Sequence, residues 1–231
     1  MEIRILNNID GAKQAEGLTV IIDVFRAFTV ECFLADLGVE KIIPMGKVED
    51  CHALHSMHPD YYMVGERKGI KLPGFDSGNS PSYLTTAVNM KGRTVIHSTS
   101  AGTQGIVYAA QRATEVITGS MVNAGAVARY IKSRNPEVVT LVCMGLNGIE
   151  ESAEDTLCAK YIKAKLMGED LNIHSEIADL KNTAGAKFFD DEQKVHFPEP
   201  DFFMCLVPDV FNFVLKADTS KNPIEMIKIE I

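Results

Sequence analysis

Apolar residues fall along this chain in two rhythms. Continuous β-branched runs at 18–23, 39–44, 61–65, 94–97, 115–118 and 138–143 predict strands, most of them apolar throughout. A sheet with one wet face would alternate apolar and polar residues, so these runs predict strands covered on both faces. Segments at 29–37, 48–57, 81–90, 102–112, 123–134 and 151–167 lie between them and predict helices. In the last, Leu157, Tyr161, Ile162, Lys165 and Leu166 mark a stripe, and acidic residues over 150–155 load its start, as the helix dipole favours. Strands alternating with helices predict a three-layer α/β/α fold around a mainly parallel, or mixed, sheet.

Such sheets collect ligands outside the carboxyl ends of their strands. Asp23 closes the first run, Glu66 follows the third, Thr99 and Ser100 follow the fourth, Gly119 and Ser120 the fifth, and GLNG at 145–148 the sixth. The loop at 65–81, GERKGIKLPGFDSGNSP, is rich in glycine and charge and poor in residues that pack, which suits a polyanion held through a metal. Beyond residue 173 the pattern is less regular. Residues 210–217 and 224–231 alternate well enough to be strands, antiparallel at an edge. The expectation is one domain over 1–231, with 170–231 as an edge subdomain to which no chemistry is assigned.

Composition narrows the classes of function. With 231 residues and 46% apolar content the chain can bury one substantial core. A net charge of −8 with no basic run gives nothing to counter a nucleic-acid backbone, so no nucleic-acid partner is expected. Five scattered cysteines without a CxxC pair predict neither a disulfide framework nor a zinc site, and point to a reducing, cytoplasmic setting. MEIRILNNID has no secretory pattern and no apolar run reaches membrane length, so a soluble protein without a membrane partner is expected. A homodimer is the base-rate expectation.

Asp23 leads from a buried run into a helix, a place for Mg²⁺, for a phosphoryl acceptor, or for a plain helix cap. Arg26 in the following turn opposes the helix dipole and asks for an anion, which Asp23 or a ligand can supply. Glu66 and Arg67 follow a buried strand directly, and Asp76 lies in the same loop. Asn79 and Ser80 precede Pro81, where they can cap a helix, bind a ligand, or do both. HSTSAGTQG at 97–105 aims backbone N–H groups at an acid group. It matches neither the P-loop nor the dinucleotide fingerprint, which disfavours a nucleotide-dependent oxidoreductase. Asp155, preceded by Glu154, offers a further metal oxygen or simply a favourable charge at a helix start. His52, His55 and His58 diverge around a helix and read as a solvated helix end. Cys143 packs inside a strand.

In order and spacing, VIIDVFRAFTV, GERKG, GFDSGNSP, TSAGTQG, the VCMG turn and the acidic stretch at 151–155 resemble the 2-phosphosulfolactate phosphatase family. The resemblance spans most of 18–166. It implies a three-layered α/β fold and a Mg²⁺-dependent phosphatase that converts 2-phospho-3-sulfolactate to 3-sulfolactate on the route to coenzyme M. The implied partner is therefore a small anionic phosphorylated (sulfo)carboxylic acid.

An acidic protein can hold so anionic a substrate by interposing a cation and local donors. On this reading Asp23, Glu66, Asp76 and Asp155 hold Mg²⁺, and Asp23, Arg26 and Glu66 carry the chemistry. Arg26 and Arg67 grip substrate oxygens in forked pairs, while Asn79, Ser80, Thr99, Ser100, Gly102 and Thr103 take the remaining acid groups. Either water or Asp23 attacks phosphorus; Phe25 stands where the haloacid-dehalogenase pattern would place its second aspartate, which favours water. A non-catalytic binder of small anionic metabolites is the alternative in a different class, separated by whether phosphate is released.

Overall fold

A computed structural model describes residues 1–231. The elements follow in the order β1 (Glu2–Asn7), α1 (Asn8–Lys13), β2 (Leu18–Ile22), α2 (Ala27–Asp36), β3 (Lys41–Pro44), α3 (Val48–Met57), β4 (Tyr62–Arg67) and β5 (Ile70–Lys71). They continue with α4 (Pro81–Ala87), β6 (Thr94–Ser98), α5 (Gly102–Ala109), β7 (Glu115–Gly119), α6 (Ala124–Arg134) and β8 (Val138–Cys143). The last are α7 (Ala153–Met167), α8 (His174–Leu180), α9 (Glu199–Leu206), β9 (Phe213–Asp218) and β10 (Glu225–Glu230). Every strand and helix expected over 18–167 is present. β1, which was not expected, adds a parallel edge strand against β8.

Alternation along the strands explains the layering. Leu18, Val20 and Ile22 of β2 join one buried cluster, whereas Ile21 joins another on the opposite face. Val139, Leu141 and Cys143 against Val142 divide β8 in the same way. The two clusters hold 27 and 25 buried residues, so neither face is left to water and helices cover both. That double burial is why the strands read as mainly apolar runs and not as an alternation of apolar and polar residues.

The sheet has ten strands in the order β1-β8-β2-β7-β9-β10-β3-β6-β4-β5 and is mixed. Here the structure corrects an expectation: the β9–β10 hairpin is antiparallel but lies inside the sheet, not at its edge. It pairs antiparallel to β7 on one side and to β3 on the other. The parallel blocks β1-β8-β2-β7 and β3-β6-β4 therefore run in opposite senses along the ladder. The loop after β6 nevertheless reaches the carboxyl ends of both blocks: its Ser100 N donates to Glu66 near the end of β4 and its Gly102 N to Asp23 just past β2.

Candidate active site

Four loops meet at these carboxyl ends, and backbone amides hold Asp23 and Glu66 in place. Asp23, just past β2, accepts from Ala27 N through Oδ1 at 3.2 Å and from Gly102 N through Oδ2 at 3.0 Å. Glu66, near the end of β4, accepts from Ser100 N at 2.7 Å, Ser100 Oγ at 3.0 Å and Gly69 N at 2.5 Å. The loop after β6 thus ties Asp23 of one block to Glu66 of the other. Gly102 is required there: a Cβ would stand 2.9 Å from Asp23 Oδ2 and 3.0 Å from both Ala27 Cβ and Phe28 Cζ.

A cavity of about 110 Å³ opens between these groups. Asp23, Glu66 and Glu154 bring carboxylates to its wall, and Arg26, Lys68 and Lys187 bring cations. Burial pushes the Asp23 carboxyl up to about 7, and the nearby charges of Glu66 and Glu154 push the same way against the two amide bonds. Burial also raises Glu154 and lowers Lys187, for which the charge of Glu154 is the chief opposing influence. Glu154 Oε2 is buried and has no hydrogen-bond partner. Arg26 is held from behind: Nη1 donates to Asp201 Oδ2 at 2.7 Å, and the guanidinium lies 5.0 Å from the Phe197 ring centroid. Asp201, on α9, also accepts from Ser80 Oγ, Ser82 N and Ser82 Oγ.

Asp23, Arg26, Glu66, Asn79 and Ser100 line this cavity together. Other expected residues do different work. Asp76 is exposed, and its Oδ2 accepts from Met63 N at 2.7 Å, near the opposite end of β4 from Glu66. It borders a neighbouring 380 Å³ cavity rather than the carboxylate pocket. Asp155 is buried behind the wall, with one oxygen on Val24 N and the other on Gly145 N, both at 2.8 Å. It braces the loops after β2 and β8. Arg67 turns to the carbonyl of Glu66, to Gly46 O and to Ser98 Oγ. Ser80 caps α4 at Tyr83 N, and Thr99 and Thr103 bond reciprocally within a buried turn. Gly102 meets Asp23 through its backbone N–H. Burial raises the Cys143 thiol far above its usual range, which removes it as a nucleophile.

Sequence reasoning missed Lys187, Phe197 and Asp201, which come from the stretch to which no chemistry was assigned, and it favoured Asp155 over the adjacent Glu154. No local motif marks the first three. A divalent cation also needs a different ligand set from the expected one. No three His, Cys, Asp or Glu side chains close into a ready-made cage. Magnesium characteristically uses one or two carboxylates with waters and substrate phosphate, so an open pair suffices. Glu154, with its unpartnered Oε2, and Asp23 both line the cavity and offer such a pair, whereas Asp155 does not reach the cavity wall and Asp76 borders the neighbouring one.

Comparison with known proteins agrees with the motifs. A family model described as 2-phosphosulpholactate phosphatase matches residues 4–218. A probable 2-phosphosulfolactate phosphatase of Bacillus subtilis (strain 168) is 31% identical over 204 residues, covering 87% of this chain and 86% of the relative. One from Clostridium perfringens (strain 13 / Type A) is 34% identical over 180 residues, 76% of this chain and 70% of the relative. Another, from Carboxydothermus hydrogenoformans, is 37% identical over 180 residues, 78% and 72% respectively. No helix is long and apolar enough to cross a membrane. The chain belongs to the 2-phosphosulfolactate phosphatase family, a family of phosphoric monoester hydrolases.

Proposed function

We propose that this protein hydrolyses a small 2-phospho-acid such as 2-phospho-3-sulfolactate, with Mg²⁺ held by Asp23 and Glu154. The observation that carries this reading is the grouping of three carboxylates and three cations around one small cavity, with Glu154 Oε2 lacking a partner. Magnesium bound there would supply neutralising charge at the phosphoryl oxygens.

The side chains supply the rest. Arg26, oriented by Asp201, presents its remaining N–H groups to an anionic oxygen, and Lys68 and Lys187 balance the other acid groups of the substrate. Glu66 fixes the loops around Ser100 and Gly69 and so shapes the wall. In the overall reaction a bond forms between water oxygen and phosphorus, and the bond from phosphorus to the substrate C2 oxygen breaks. The proton lost by water is balanced by the proton gained at that leaving oxygen. Water is the better nucleophile than Asp23, because amides pin both oxygens of that carboxylate and draw off its charge.

The test is phosphate release from a panel of 2-phospho-acids with and without Mg²⁺. Wild type should turn over the sulfonated acid with the ion, and Asp23→Asn should abolish turnover. Binding of these acids without release would identify a binder and end the phosphatase reading.

A further inference from the structure

Behind the pocket lies a polar chain that the reaction described above does not use. Glu31 of α2, His97 of β6 and Asn79 before α4 are all buried, the first two completely. His97 Nδ1 lies 2.9 Å from Glu31 Oε1, and His97 Nε2 lies 3.0 Å from Asn79 Oδ1. The second oxygen of Glu31 has no partner, and His97 is the only base within ion-pair reach of it. Asn79 borders both the carboxylate pocket and the neighbouring cavity, side by side with Arg26 and Gly69.

Hydrogen-bond logic fixes this chain's polarity. A carbonyl oxygen only accepts, so the contact at Oδ1 requires a proton on His97 Nε2. The second proton of the pair sits on Nδ1 beside an ionised Glu31, or on Glu31 Oε1 beside a neutral ring. Either position leaves Nε2–H donating to Asn79. Reversing the amide would place a lone pair on Nε2, and Glu31 would then be either charged without a counter-charge or protonated at Oε2, where the buried O–H finds no acceptor. The neutral pair therefore selects one face of the amide.

We infer that Glu31 and His97 are positioning residues that lock the side-chain amide of Asn79, turning its Nδ2 hydrogens toward the pocket to donate to an anionic oxygen of the substrate. This rests on the phosphatase reading for the identity of the substrate, but not for the orientation of the amide. It also explains a buried acid and base at a point where apolar residues would pack more simply. The geometry supports specificity for an unprotonated acceptor oxygen: an N–H donor held rigid rewards phosphoryl, carboxylate or sulfonate oxygen and penalises a hydroxyl hydrogen turned towards it.

The test combines a spectroscopic and a binding readout. In protein with ¹⁵N-labelled histidine, His97 Nε2 should show the protonated-nitrogen signature across the pH range in which the fold persists. A lone-pair signature there overturns the inference. Inorganic phosphate titrated calorimetrically in the presence of Mg²⁺ should bind Asn79→Asp about ten- to a hundredfold more weakly than wild type, since a charge-assisted hydrogen bond becomes a repulsion. The double variant Glu31→Met with His97→Phe removes the pair together and keeps the site filled, so it should fold and bind phosphate about three- to tenfold more weakly, a smaller loss because the freed amide can still turn its donor to the ligand. Phosphate affinity within twofold of wild type in either variant, or no phosphate binding by wild type, overturns the donor role. Failure of wild type to release phosphate from the 2-phospho-acids would instead sink the phosphatase reading and leave the orientation of Asn79 decided by the spectrum.

Discussion

Asp201 gives the most exacting test of how the C-terminal stretch supports the site. Its carboxylate is completely buried and accepts four hydrogen bonds: from Arg26 Nη1 at 2.7 Å, Ser82 Oγ at 2.6 Å, and Ser80 Oγ and Ser82 N at 3.0 Å each. Arg26 is only 4% exposed, so it relies on this partner for charge compensation. Asp201→Asn keeps the shape, removes the charge and presents two amide hydrogens to a ring of donors. Breaking a buried ion pair from one side costs about 3–5 kcal/mol. The lower end applies, because Arg26 retains Gly69 O at 3.4 Å and stands beside Asp23 and Glu66 in the pocket.

A loss of about 3 kcal/mol in a chain of this size lowers Tm by about 6–12 °C. Urea unfolding should show a reduced midpoint with an unchanged slope. KM for the phospho-acid should rise more than kcat falls, because Arg26 loses its orientation and with it uniform binding. A Tm within about 1 °C of wild type would refute the claim that this pair anchors α9 to the site.

Other outcomes follow from the same geometry. For the metal-free protein, a carboxyl raised to about 7 binds its proton more tightly folded than unfolded, so the stability due to Asp23 is full below the ordinary carboxylate range and is lost as pH rises towards 7. Thermal melts across that window should fall with pH by up to about 4 kcal/mol, and excess Mg²⁺ should flatten or reverse the slope; a slope unaffected by the ion would refute its placement at Asp23. Glu154→Gln removes the carboxylate whose Oε2 lacks a hydrogen-bond partner, and should abolish stabilisation by Mg²⁺, read by the same melts. Gly102→Ala forces a methyl against Asp23 Oδ2, Ala27 and Phe28 and should cost about 1–3 kcal/mol, with activity falling further because the displaced group is Asp23.

Much of the framework was legible in the sequence, and the physical reason differs from element to element. Strands β2, β4, β6 and β8 announce themselves because burial on both faces makes their runs predominantly apolar, with only isolated polar residues such as Thr19 and Thr140. β1 lies at the edge with partly exposed residues throughout, and its pattern is correspondingly weak. Asp23 and Glu66 could be found because a strand's end locates a side chain in space. Glu154 and Asp155 could not be separated, since neighbours on a helix point about 100° apart and only the docking of α7 decides which one reaches the cavity. Arg67 follows a strand as Glu66 does, yet successive residues of a strand face opposite ways, and its guanidinium is taken up by the carbonyls of Glu66 and Gly46.

The position of the hairpin explains why residues far along the chain enter the site. α7 carries the chain away from the carboxyl end of β8, while β9 must begin beside the carboxyl end of β7, because it runs antiparallel to that strand with Leu215 opposite Thr118. The connection between them therefore has to return across the side on which Asp23 is exposed to the cavity. It does so through α8 and α9, and Lys187, Phe197 and Asp201 all lie on that return path. Phe197 packs over Gly69, where any Cβ would collide with its ring, and Asp201 ties the return path to Arg26 and to the start of α4. An edge hairpin would impose no such crossing. Placing two antiparallel strands in mid-sheet both reverses the second parallel block and obliges the chain to roof the first. The enclosure that raises Asp23 and the anchoring of Arg26 are thus consequences of strand order, which long-range pairing sets and no local stretch of sequence encodes.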